Sequence, residues 1–242
     1  MSWRVNKLVL VFGLLAMSGI AQFVFSLALA IDQYGDEDGY SITENFLSDL
    51  GRTRTVDGLN NVAASAIFNR SVVILSLSLV PFFCALTTVL HKHRASVPSF
   101  GVVSSLGLVG IGLTPYDRYF VAHNVALGLW LGPMLVMVLG FYRSFRSEGA
   151  ASRKLAGVTV LLLLATIGYA LVNHHSGHVV FQKIVAVLAV IWFLLVFVSV
   201  SVSTIQSVSP RQLLAERQAI RYMEVIRRGP RRQRKPEEPW SR

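Results

Sequence analysis

The sequence predicts an all-α polytopic membrane protein, a helical bundle of six transmembrane helices with both termini cytoplasmic, and three observations carry that expectation. Hydrophobic residues make up 53% of the 242-residue chain and charged residues only 15%. Apolar runs of about eighteen or more residues recur along it, the length a helix needs to cross the hydrocarbon layer. The connections between runs alternate between basic and acidic or nearly neutral, as the positive-inside bias requires.

Span one is expected from about Leu8 to Ile31, behind Arg4 and Lys7. Ala28-Leu29-Ala30 resembles a signal-peptide cleavage site, but the apolar run exceeds the about 7–15 residues of a signal-peptide core, which favours an uncleaved anchor. The outer loop from Asp32 to Asn61 holds seven of the chain's thirteen acidic residues. Span two follows from about Val62 to Leu90, and His91-Lys92-His93-Arg94 makes a basic inner loop. Span three, about Pro98 to Leu113, is short and rich in Gly and Ser. Thr114 to Arg118 forms an outer turn before span four, about Tyr119 to Phe141, whose Gly128 and Gly132 form a GxxxG that favours close helix contact. Arg143, Arg146, Arg153 and Lys154 mark the next inner loop. Span five covers about Leu155 to Val172, Asn173 to Gly177 turns outside, and span six runs from about His178 to Ser203.

The net charge of +10 suggests nucleic acid until the charges are placed. Eighteen of the 23 Lys and Arg fall in inner segments, so the charge reports topology, and no nucleic-acid partner is expected. Cys84 is the single cysteine, which excludes an internal disulfide. Residues 1–208 therefore read as one transmembrane domain and 209–242 as a basic cytoplasmic tail. In that tail Ser209, Pro210 and Gln212 are suited to start a helix. Its apolar side, Leu213, Leu214, Ile220, Met223 and Ile226, suits the anionic inner leaflet, with a solvated tail as the alternative. Gly229-Pro230 stops it, and disorder is expected from Arg231 onward.

Charges inside a span cost about 3 kcal/mol on insertion scales, so each needs a reason. Arg70, beside Asn69 and two to three turns into span two, is expected to face the bundle interior and meet either an acid, with Asp117 and Asp49 as the candidates, or backbone carbonyls. Lys183 lies one turn inside span six, where its stem reaches the interface. Asp117 and Asn124 are seven residues apart on one helical face, with His123 beside it. His174 and His178 have i,i+4 spacing, and His123 lies on the same side of the membrane. Two such histidines plus a third ligand suit zinc with water in the fourth position, although no glutamate base lies between them. A polar turn whose histidines face water, or hydrogen-bond between helices, explains the same residues. His91 and His93 lie on the opposite side and read as a solvated loop.

Asn45-Phe46-Leu47-Ser48-Asp49-Leu50-Gly51, Phe68-Asn69-Arg70-Ser71 and Pro115-Tyr116-Asp117 followed by His123 together resemble the prokaryotic domain-of-unknown-function family 998 of multi-span membrane proteins. Ser48-Asp49-Leu50-Gly51 is also similar to the Ser-Asp-Thr-Gly of the damage-regulated autophagy modulator group. These resemblances imply a multi-span fold with outward polar motifs and no reaction. The histidines are similar in arrangement to the ceramidase and adiponectin-receptor type membrane hydrolases, with Ser48 or Asp49, His123 and His174/His178 in the matching parts. The chain departs from that pattern in having six spans and no Ser-x-x-x-His within one helix.

Three functions follow from these readings. The first is a non-catalytic membrane protein that interacts with lipid or with another membrane protein, its polar residues Ser48, Asp49, Asn69, Arg70, Asp117 and Asn124 structural. The second is a zinc hydrolase of a lipid-like substrate. There His123, His174 and His178 would hold the metal, Asp49 or Asp117 would act as base or fourth ligand, and Arg70 would meet an anionic head group. The third is a single-haem protein with His123 and His174 or His178 as axial ligands.

Overall fold

Each apolar run folds into a helix in the computed structural model, which describes residues 3–89, 96–145, 150–172 and 175–206, together with Gln218 and Met223. The helices are α1 (Trp3–Asp32), α2 (Val62–Val89), α3 (Ser96–Leu113), α4 (Phe120–Phe145), α5 (Ala150–Leu171) and α6 (His175–Gln206). A short 3-10 helix, Leu47–Gly51, interrupts the loop between α1 and α2. Five of the six helices are long and apolar enough to cross a membrane. The apolar part of α3, Val97–Leu113, is shorter than that standard. One compact unit covers Met1–Ser201, and Val202–Arg242 forms a second. The expected amphipathic helix of the tail and the 91–94 loop lie outside the described residues, apart from helical, exposed Gln218 and Met223.

Several hydroxyl side chains inside the helices are satisfied locally. Ser71, Ser76, Ser78, Thr159 and Thr166 donate to carbonyls three or four residues back on their own helices. This removes the cost of an unpaired hydroxyl in an apolar setting.

Helices α1 to α4 approach one another through small residues. A Cβ on Gly107 of α3 would meet the backbone of α4, 2.4 Å from the Trp130 amide nitrogen. One on Gly112 would come 2.8 Å from the Asn69 carbonyl oxygen of α2, and one on Gly110 would come 2.8 Å from Ala126 of α4. Gly128 and Gly132, the expected contact motif, are exposed with nothing within 4 Å. The close seam of α4 thus runs along its Ala126 and Trp130 side, because the glycines that open it belong to α3.

Helix α6 makes its contacts through large side chains. The Phe197 ring fills the space where a Gly13 Cβ would stand on α1. Trp192 is buried edge-on against Phe141 of α4, at 5.5 Å between ring centroids, and its indole N–H donates to Thr159 of α5 at 3.0 Å. A large hydrophobic cluster holds Phe82, Phe83, Phe141 and Trp192, and a smaller one gathers Ala30, Tyr34, Leu50, Ala64 and Phe68 beneath the α1–α2 loop.

Gly107→Ala should lower detergent-solubilised stability by about 1–3 kcal/mol, because a backbone neighbour has no rotamer to yield. Gly128→Ala should leave it unchanged. Thermal unfolding of the two variants side by side checks both, and equal melting temperatures would refute this assignment of the seam.

Candidate functional site

Residues 33–61 must cover one end of the bundle without a strand ladder or a long helix, so their backbone groups need side-chain partners. Asn61, 1% exposed, supplies three. Its side-chain oxygen accepts the Gly35 N–H at 3.1 Å, and its amide donates to the carbonyls of Arg52 at 2.9 Å and Asp49 at 3.3 Å. One and two turns further on, Ser65 and Asn69 both donate to the Gly51 carbonyl at 2.8 Å. Asn69 is thus a loop anchor. Gly35 passes so close to the Asn60 carbonyl that no Cβ fits there.

Asp49 closes the short helix on itself. Its carboxylate accepts the Phe46 N–H at 2.7 Å and lies 3.7 Å from the Arg52 guanidinium, at 5% exposure. Asp117, on the α3–α4 turn, accepts the Thr53 N–H at 3.0 Å, the Thr53 hydroxyl at 2.6 Å and the Arg54 N–H at 3.2 Å. Burial pushes the Asp117 carboxyl up, but the hydrogen bonds from Thr53 and Arg54 outweigh it and hold the group below its usual range. Helix α6 ties down the loop's other arm. The Leu47 N–H donates to Gln182 at 2.7 Å, and the Lys183 ammonium donates to the Asn45 carbonyl at 2.6 Å while lying over the Tyr40 ring.

These bonds correct the expected pairing of Arg70. Asp49 is engaged by Arg52 and Asp117 by the loop backbone, and Arg70 is exposed on the outside of α2. Phe68, Ser71, Val72 and Leu75 form the buried face of that helix, and Arg70 falls between them on the opposite side. Asn124 is exposed with its amide turned back to the Phe120 carbonyl. Ser48 is half-buried.

Beneath the loop lies a cavity of about 820 Å³. Its deep wall is apolar, with Leu75, Leu79 and Phe83 of α2, Leu108 of α3 and Val190 and Phe193 of α6. Ser48, Asp49, Arg52, His123, Asn124 and His178 lie along the polar part of its wall. His123, 6% exposed, has its Nδ1 2.7 Å from the Thr114 carbonyl oxygen. A carbonyl only accepts, so Nδ1 carries the proton and Nε2 presents a lone pair. No described residue bonds that Nε2. Its ring stands edge-on to Tyr116 at 5.4 Å, and Tyr116 in turn lies 5.6 Å beneath the Arg52 guanidinium. His178 lies against Tyr169 at 4.3 Å and edge-on to Phe46 at 5.8 Å between ring centroids.

The expected zinc set is therefore divided. His123 and His178 both line the cavity, while His174 lies outside the described residues. Among the described residues no three His, Cys, Asp or Glu side chains come together as metal ligands would. The sequence reading missed Thr53, Asn61, Gln182 and Tyr116. Asn61, directly before an apolar run, carried a signal as a helix-start residue, but Thr53 and Gln182 bond to partners 64 and 135 residues away in the chain. No family model, curated protein or solved structure matches this chain.

Because the Asp117 carboxyl titrates below its unfolded value of about 3.8, its contribution is full above that value and fades as pH falls through the folded one. Asp117→Asn should loosen residues 33–61 at neutral pH and flatten the acid side of the stability curve. Amide exchange of Thr53 and Arg54 reads the first effect, and acid titration of unfolding reads the second. Protection as in the parent protein would remove Asp117 from the strap.

Proposed function

We propose that this chain is a six-span integral membrane protein of the cytoplasmic membrane, with both termini inside, that binds an amphiphilic, lipid-like molecule beneath the 33–61 loop. The cavity is the observation that carries this reading. Its volume of about 820 Å³ falls within the about 300–1,000 Å³ of small-molecule sites. Its wall grades from aliphatic and aromatic side chains in the depth to carboxylate, guanidinium and imidazole beneath the loop. An amphiphile divides in the same way, with its chain gaining about 0.8 kcal/mol per buried methylene and its head needing polar partners.

The basic inner connections orient the molecule with the loop outward, and α3 serves as the short sixth span between closely packed neighbours. The likeness to family 998 fits the same picture, since Asp49, Asn69 and Asp117 from its motifs all hold the loop in place. Those structural bonds also occupy the two carboxylates that a hydrolase would need as base. Binding is thus better supported than metal-dependent hydrolysis or haem ligation.

Ala186 of α6 lines the cavity. Ala186→Trp should push an indole ring into the cavity and obstruct the occupant while the helices stay intact. Native mass spectrometry of gently solubilised protein should find bound lipid on the parent and several-fold less on the variant, with circular dichroism unchanged. Equal lipid on both proteins would overturn this assignment of the cavity.

A further inference from the structure

The chemistry of the cavity mouth singles out one class of head group. Five carboxylates line the cavity, Asp36, Asp38, Glu44, Asp49 and Asp57, against the one guanidinium of Arg52. Lys183, bonded to Asn45 at the same loop, adds one more positive charge and still leaves three negative charges in excess. Like charges brought together at a binding site repel, so this mouth disfavours a phosphate or carboxylate head.

A second observation is independent of the charge. His123 is 94% buried, lines the cavity, and has its Nδ1 proton committed to the Thr114 carbonyl. Its Nε2 is therefore an acceptor that calls for a donor from the occupant. The ring lies one aromatic neighbour away from the Arg52–Asp49 pair, through Tyr116. The protein's own cations are already held over ring faces here, Arg52 over Tyr116 and Lys183 over Tyr40, each at 5.6 Å. Phe46 and Tyr169 both contact His178 on the same wall and offer further aromatic surface to a cation.

Building on the amphiphile-binding reading, we propose that the occupant is a single-chain amine: a long alkyl chain in the apolar depth and an ammonium head that donates to His123 Nε2 beneath the carboxylates of the loop. The head brings a donor to His123 Nε2 and a positive charge to a mouth whose lining carboxylates outnumber its cations.

The test uses the full chain, delipidated in a neutral detergent, with hexadecylamine, hexadecanol and hexadecyl phosphate supplied below their micellar concentrations. Native mass spectrometry reads the bound fraction. The amine should bind at least about tenfold more tightly than the phosphate, with the alcohol between them. His123→Phe should weaken amine and alcohol together and leave the phosphate unchanged. A triple variant, Asp36→Asn with Asp38→Asn and Asp57→Asn, lies in the loop outside the helices. It should abolish the preference for amine over alcohol, which keeps the proposal testable if His123→Phe fails to fold. Phosphate binding as tight as amine binding would overturn the head-group assignment while leaving the cavity reading intact. Failure of all three to bind, with lipid content equal in the parent and Ala186→Trp, would overturn the cavity reading itself.

Discussion

A backbone that crosses the end of a membrane bundle without regular structure must find a partner for nearly every buried amide and carbonyl. That constraint governs residues 33–61. An unpaired buried group costs about 1–3 kcal/mol, so a loop of this length stays closed over a bundle only when several elements donate to it. Here α2 contributes Asn61, Ser65 and Asn69, the α3–α4 turn contributes Asp117, and α6 contributes Gln182 and Lys183. The strap draws on elements that follow the loop in sequence, so it is completed only when the last helix is in place.

Two unlike packing modes surround the cavity. Glycines on α3 bring its backbone close to those of α2 and α4. Helix α6 instead contacts α1, α4 and α5 through the side chains of Phe197 and Trp192, the Phe197 ring seated at Gly13 of α1. Between them, side chains of α2, α3, α4 and α6 form the apolar depth of the cavity. The 33–61 loop supplies the polar part of the wall, because the loop itself is acidic.

Some of this was legible in the chain and some was not, and particular residues show the dividing line. The six helices followed from apolar run length, which is local, and their observed bounds differ from the expected ones mainly at the ends. Asp49, Asp117 and His123 attracted attention as polar residues beside apolar runs, and each does lie at the loop-bearing end of the bundle. Their partners were not readable. Arg70 was expected inward because a charge in a span is costly, yet one-residue steps around a helix turn it by 100°, and Phe68, Ser71 and Val72 had already claimed the inner face. Gly128 and Gly132 misled for a related reason. The spacing marks a flat helix face, and only the neighbouring helix decides whether that face is used.

By itself, then, the sequence determined the helical class, the positions of the apolar helices and the concentration of acid in one loop, because each depends on composition over a short stretch. The tertiary structure decided which carboxylate meets which donor, which glycines carry close contacts, that no described residue bonds His123 Nε2, and that a cavity exists at all. These depend on how the helices are rotated and on contacts such as Leu47 with Gln182, 135 residues apart. No local pattern encodes a rotation, since it is set by the summed packing of every helix against its neighbours.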